Sequence, residues 1–140
     1  MSITPRQVAQ VRASFARVEA LGEPVASLFY AQLFELDPQL RALFRGDMRE
    51  QGRRLLQMLA GAVALLDRPE QLLPVLRLLG ARHQGYGVQE RHYASVGAAL
   101  IRTLEQGLGP GFTPELRAAW LAVYDLVSRT MREAAQPLAA

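Results

Sequence analysis

Only two histidines, His83 and His92, occur in this 140-residue chain, and there is no cysteine. The missing thiols exclude a cysteine nucleophile, Cys-ligated zinc, iron–sulfur clusters and covalent haem attachment through Cys-x-x-Cys-His. Two histidines leave little room for a multi-histidine metal site, so a metal would arrive largely pre-coordinated, as in a porphyrin, or rest on carboxylates. His83 is the informative one. Leu72, Leu76 and Leu79 precede it by eleven, seven and four residues. At about 3.6 residues per turn, the imidazole therefore shares their apolar face. Gly85 and Gly87 then end the helix. These residues leave two readings open. One is a core histidine bonded to a carbonyl, or a cation at a helix C-terminus. The other is a metal or haem-iron ligand.

The elements that must position His83 are all helical. Thr4-Pro5-Arg6-Gln7 reads as a capping box with proline at the first helical position, followed by Val8, Val11, Phe15 and Val18 on one face. Pro24 opens a second helix with a broad apolar face of Val25, Leu28, Phe29, Leu33 and Leu36, which Asp37-Pro38 breaks. A short helical turn from Pro38 to Phe44 leads through Arg45-Gly46-Asp47 into a long helix expected over Met48–Leu66. The leucine-rich segment after Pro69 contains Pro74, where a break or a new start is expected. Glu90 to Leu108 forms another helix, Gly109-Pro110-Gly111 interrupts the chain, and Thr113-Pro114 caps the last helix. Trp120, Val123, Tyr124, Val127 and Met131 face inward on that helix, and the residues after about Ala135 are expected to fray. No segment alternates with period two long enough to make a strand. The reading is an all-α single domain over 1–140 with six or seven helices. A haem-binding globin, a helical regulator and a helical adaptor all satisfy that description.

Composition narrows the partners. Net charge is +3, every basic residue is arginine, and only Arg53 and Arg54 are adjacent. That is no nucleic-acid stripe. No apolar run approaches the ~20 residues of a membrane span, and Met-Ser-Ile-Thr-Pro-Arg lacks the order of a signal peptide. A cytoplasmic protein with no nucleic-acid or membrane partner is expected.

Spacing chooses among the helical candidates. Pro38 precedes Phe44 by six residues, Tyr30 precedes Phe44 by fourteen, Gln51 and Leu55 lie one turn apart, and His83 follows Gln51 by 32. With Leu28-Phe29-Tyr30-Ala31-Gln32-Leu33-Phe34, Leu79-Gly80-Ala81-Arg82-His83 and Tyr86-Gly87-Val88, the chain resembles the globin family over its whole length. It is most similar to bacterial single-domain haemoglobins related to the globin part of flavohaemoglobins, of the Hell's Gate type. The resemblance implies a three-over-three globin fold holding haem b, with His83 as the proximal metal ligand. It places Tyr30, Gln51 and Leu55 in the distal pocket and Phe44 against the porphyrin. Leu79, Tyr86, Val88, Tyr93 and Val96 become proximal and floor contacts, and Arg54 and Arg82, with Arg53 as a further candidate, would meet the propionates. His92 is expected at the surface beside Tyr93. The distal helix has no histidine, so ligation by a distal histidine is excluded.

The same resemblance implies dioxygen, carbon monoxide and nitric oxide as ligands. A tyrosine hydroxyl donating to polarised dioxygen is worth roughly 1.5–3 kcal/mol, or about 10–150-fold in release rate. The leading expectation is a reversible oxygen-binding protein with no catalytic residue; the alternative is a nitric oxide dioxygenase served by a separate reductase. One departure bears on that choice. In flavohaemoglobins a tyrosine ten residues after the proximal histidine and a glutamate late in the last helix support the imidazole. Tyr93 matches the tyrosine, but the glutamate's position, fifteen residues after Trp120, holds Ala135, with Glu133 on a different face. A globin without an attached flavin or nicotinamide reductase domain is expected, which weakens a self-sufficient nitric oxide dioxygenase reading.

Overall fold

A computed structural model describes residues 3–85 and 87–135, and side chains as far as residue 134. Six α-helices and two 3₁₀ turns account for most of the described residues: α1 (Pro5–Glu19), α2 (Glu23–Leu36), a 3₁₀ turn (Pro38–Leu43), α3 (Met48–Ala64), α4 (Pro69–Gly85), α5 (Glu90–Leu108), a second 3₁₀ turn (Gly109–Gly111) and α6 (Pro114–Ala135). The first helix starts as its sequence dictates, with Thr4 Oγ1 accepting from Gln7 N–H and the Gln7 side chain accepting from Thr4 N–H. Thr113 Oγ1 likewise accepts from Leu116 N–H at the start of α6.

Among the helices, α4 packs on α6, α2 on α5 and α3, and α1 on α6 and α3. Trp120 lies at the centre, nearly inaccessible. Its indole N–H donates to Ser14 Oγ at 2.9 Å, and Ser14 in turn donates to the Val11 carbonyl. The polar end of the largest core side chain is thus satisfied without water.

Three expectations need correction. The helix α3 ends at Ala64 rather than Leu66, because Arg12 takes its last carbonyls: Nε donates to Val63 O at 3.2 Å and Nη2 to Ala64 O at 2.7 Å. Asp67 receives the same guanidinium, which holds its carboxyl below the usual carboxylate range. No break occurs at Pro74. That residue lies inside α4, where it can donate no bond to the Glu70 carbonyl, and both residues are exposed. Leu72 and Leu76, each about 1% exposed, anchor the helix through the defect. The third concerns His92, which is buried rather than on the surface. Its Nδ1 accepts the Gln89 N–H at 2.9 Å and so closes a capping box at the start of α5.

Close backbone approaches set the helix pitch. A Cβ on Gly80 would lie 2.2 Å from the Met131 carbonyl oxygen, so α4 sits directly on the α6 backbone. A Cβ on Gly52 would lie 2.9 Å from that of Ala26, which marks where α2 crosses α3. No helix among the described residues is long and apolar enough to cross a membrane.

Candidate functional site

His83 is half-buried in the last turn of α4. Its Nδ1 lies 2.7 Å from the Leu79 carbonyl, one helical turn back. A carbonyl only accepts, so in the neutral ring Nδ1 carries the proton and Nε2 carries the lone pair that a metal requires. The backbone then folds tightly around this residue. Val88 N–H donates to the His83 carbonyl at 3.1 Å, and Gly87 turns with φ +90° against Leu43. The turn after His83 therefore reaches the end of the 3₁₀ turn, next to Phe44. Tyr86 lies outside the described residues.

On the other side, Tyr30 is buried on α2 in an aromatic cluster, edge-on to Phe44 at 5.3 Å and stacked on Phe34 at 6.0 Å. Its hydroxyl donates to the Gln51 backbone carbonyl over 3.5 Å, the outer limit of a hydrogen bond. Burial pushes its pKa up to about 12, and hydrogen bonding to the Gln51 side chain offsets only part of that. The phenol is therefore a proton donor at any physiological pH, and its present acceptor holds it weakly.

Phe44, Gln51, Leu55, Leu79, His83, Val88, Tyr93 and Val96 come from separate elements, yet all are half-buried. The helices bearing the two sides, α3 and α4, are not among the closely packed pairs. These half-covered apolar faces, with one oriented imidazole, suit a flat apolar group such as a porphyrin. Behind Leu55 lies an apolar cavity of about 20 Å³ between Phe29, Leu104 and Trp120. It is barely one water in size and has no polar wall, so it stays dry.

The Tyr93 hydroxyl is buried with no hydrogen-bond partner among the described residues, and burial raises its pKa. Tyr124 OH donates to the Tyr93 carbonyl, and burial lifts the Tyr124 pKa strongly. The charge that both tyrosines feel is that of Arg132, which pairs with Glu90 at 3.4 Å. Glu133 is exposed, and the side chain of Ala135 lies outside the described residues.

The candidate rim cations differ from one another. Arg82 is exposed beside His83, whereas Arg54 is exposed but bound to Glu50 at 2.7 Å. Arg53 lies half a turn of α3 away from Gln51 and Leu55 and lines a groove against α2 instead. The sequence reading also missed three supports. Phe34 follows Tyr30 by one helical turn and shares its cluster, a spacing that could have flagged it. Ala26 and Gly52 let α3 approach Tyr30. Asp37 ties the 3₁₀ segment to α5, accepting from Ser95 at 3.3 Å and pairing with Arg91 at 3.6 Å.

A sequence model described as Globin matches residues 27–131. A flavohemoprotein of Bordetella parapertussis is 35% identical over 126 residues, covering 87% of this chain; the chain spans only 31% of that protein. Neuroglobin of Danio rerio is 35% identical over 130 residues, covering 81% of this chain and 82% of that protein. Among solved structures, a hexacoordinated heme protein from an anhydrobiotic tardigrade superposes with a TM-score of 0.86 at 18% identity, covering 96% of both chains. An engineered carbene transferase from Rhodothermus marinus, built on a candidate nitric oxide dioxygenase, gives 0.84 at 26% identity, covering 96% of this chain and 94% of that one. By the family match and the likeness to most of a neuroglobin, the chain belongs to the globin family.

Proposed function

We propose that this chain holds haem b on His83 and binds dioxygen reversibly beside Tyr30 and Gln51. The observation that carries the reading is the bond from His83 Nδ1 to the Leu79 carbonyl, which fixes the ring and presents Nε2 as the ligating nitrogen. Phe44, Leu55, Leu79, Val88, Tyr93 and Val96 supply the apolar walls of the slot, and Tyr86 would join them. Arg82 and Arg54 are the cations for the propionates, with Arg54 exchanging or sharing its Glu50 partner. Bound haem supplies the iron that takes up diatomic ligands, dioxygen, carbon monoxide and nitric oxide among them.

The residues then divide the work. The Leu79 carbonyl fixes the orientation and tautomer of the imidazole. Tyr30 OH turns from its long bond with Gln51 toward the ligand, and losing a 3.5 Å contact costs little. Gln51 offers a second donor or holds the phenol in line. The apolar neighbours of Leu55 exclude water from this end.

The test is reconstitution of the purified protein with haem b, followed by oxygenation and removal of oxygen. One haem per chain and a spectrum that returns to its starting form are expected. Failure to take up haem, or irreversible oxidation at the first exposure, would contradict the reading.

A second reading is favoured by the likeness to flavohemoproteins and to the Rhodothermus protein: nitric oxide dioxygenation, in which nitric oxide, dioxygen and one electron give nitrate. The electron would come from a separate reductase. Turnover of nitric oxide with NADH and a generic flavin reductase supports it, and a single stoichiometric reaction with no turnover sinks it.

A further inference from the structure

A second concavity lies along α3 on the face next to that of Gln51 and Leu55. It is an open groove of about 460 Å³ between α2 and the first half of α3. That volume lies within the ~300–1,000 Å³ typical of small-molecule sites. Its floor is apolar, made by Ala26, Tyr30, Phe34 and Leu56. Three guanidiniums stand on it, those of Arg41, Arg49 and Arg53, against a single carboxylate, that of Glu23.

The charges are uncommitted. Ion pairs among the described residues engage six arginines, Arg6, Arg12, Arg54, Arg91, Arg129 and Arg132, and none of the three in the groove. Arg49 and Arg53 have no ion pair among the described residues, although acidic neighbours lie on the same helix. Arg41 lies over the Phe34 ring, 5.3 Å from its centroid, which orders it on the groove wall. An apolar floor with aromatic faces, overhung by three cations, matches a flat apolar body carrying one acidic group. The ring faces receive the body, and the planar forks of Arg49 and Arg53 receive the carboxylate.

We infer that this groove is a binding site for a small aromatic carboxylate, separate from the site of His83. The inference does not rest on the haem reading, since the arginines that carry it, Arg49 and Arg53, lie about half a turn of α3 round from Gln51. Tyr30 is a wall common to both places.

The probe is 2-naphthoate, titrated calorimetrically into the haem-reconstituted, carbon monoxide-saturated full chain, or into the protein as purified if it takes up no haem. A dissociation constant of roughly 100 µM or tighter is expected for a ligand of this size. The uncharged 2-naphthalenemethanol should bind at least about tenfold more weakly, and added salt should weaken the acid alone. The double variant Arg49→Ala/Arg53→Ala should lose at least about tenfold. The charge-matched Arg102→Ala/Arg117→Ala, far from the groove, should lose nothing. Glu23→Gln should tighten binding about threefold, so the test does not depend on loss alone. Circular dichroism checks that each variant is folded. No saturable binding at millimolar 2-naphthoate, equal binding of the uncharged analogue, or equal affinity in the two double variants would each overturn the inference.

Discussion

The two faces of the candidate haem slot are built on opposite principles. On the α2–α3 side, a phenol is held in a ring cluster and its hydroxyl is left on a 3.5 Å bond that a better acceptor can replace. On the α4 side, the polar atom is locked: His83 Nδ1 sits 2.7 Å from the Leu79 carbonyl. The loose bond belongs where a ligand comes and goes, the tight one where a metal must stay. The buried Tyr93 hydroxyl has no described partner, and the charge near it is the cation of Arg132. A carbonyl acceptor leaves an imidazole less anionic than a carboxylate would, and that contrast underlies the reversible-binding proposal.

The largest effect should come from breaking the locked side. His83→Ala should weaken haem retention by more than the roughly 10–100-fold that loss of a ligand's hydrogen-bond partner costs a metal site. His92→Gln, which can still cap Gln89, should leave the Soret band unchanged. Haem stoichiometry after gel filtration reads both, and the reverse pattern would exchange the two histidines' roles.

The loose side comes next. Tyr30→Phe keeps the ring cluster and removes the donor. Oxygen dissociation, measured by stopped-flow displacement with carbon monoxide, should accelerate at least about tenfold. Carbon monoxide release should change much less, because that ligand is less polarised. Gln51→Leu should have the smaller oxygen effect. Equal off-rates in wild type and Tyr30→Phe would show that the phenol points away from the ligand.

A subtler difference is vibrational. With a carbonyl rather than a carboxylate behind His83, the ferrous iron–histidine stretch should fall in the myoglobin-like range of the resonance Raman spectrum. A high, peroxidase-like frequency would mean that a carboxylate reaches the proximal side after all; Glu133, being exposed, is poorly placed to do so.

The smallest effect is on stability. Burial and the neighbouring Arg91 depress the His92 pKa below its ordinary 6.5, against the pull of Asp37. In the window between the depressed folded value and 6.5, the unfolded chain binds more protons than the folded one. Stability from this group is therefore complete above pH 6.5 and is lost as pH falls through the folded pKa. Urea unfolding between pH 7 and 5 should show a shallower decline in His92→Gln than in wild type. Parallel declines would remove His92 as the cause.

Much of this contrast was legible in the sequence, for a local reason. Helix starts depend on a few adjacent residues, so Thr4-Pro5-Gln7 and Thr113-Pro114 declare themselves. The leucine spacing before His83 puts the imidazole on the apolar side of its helix whatever lies opposite. What needed tertiary structure was missed. The helix α3 stops early because Arg12, more than fifty residues away, takes its carbonyls. Pro74 is tolerated because Leu72 and Leu76 are buried against the rest of the protein. His92 looks like a surface residue by composition, yet it folds back on Gln89. The grouping of Tyr30, Gln51 and His83 came from resemblance, since no local rule brings α2, α3 and α4 together. The groove of Arg41, Arg49 and Arg53 is visible only once α2 and α3 are crossed.

The central claim is that His83 is the sole side chain ligating haem iron, with no histidine on the distal helix. The absorption spectrum of the reduced, ligand-free protein tests it most directly. A five-coordinate ferrous spectrum, with one broad visible band and a Soret band that collapses in His83→Ala, is the predicted result. Two sharp visible bands of a six-coordinate ferrous haem, or a Soret band indifferent to His83→Ala, would contradict the account.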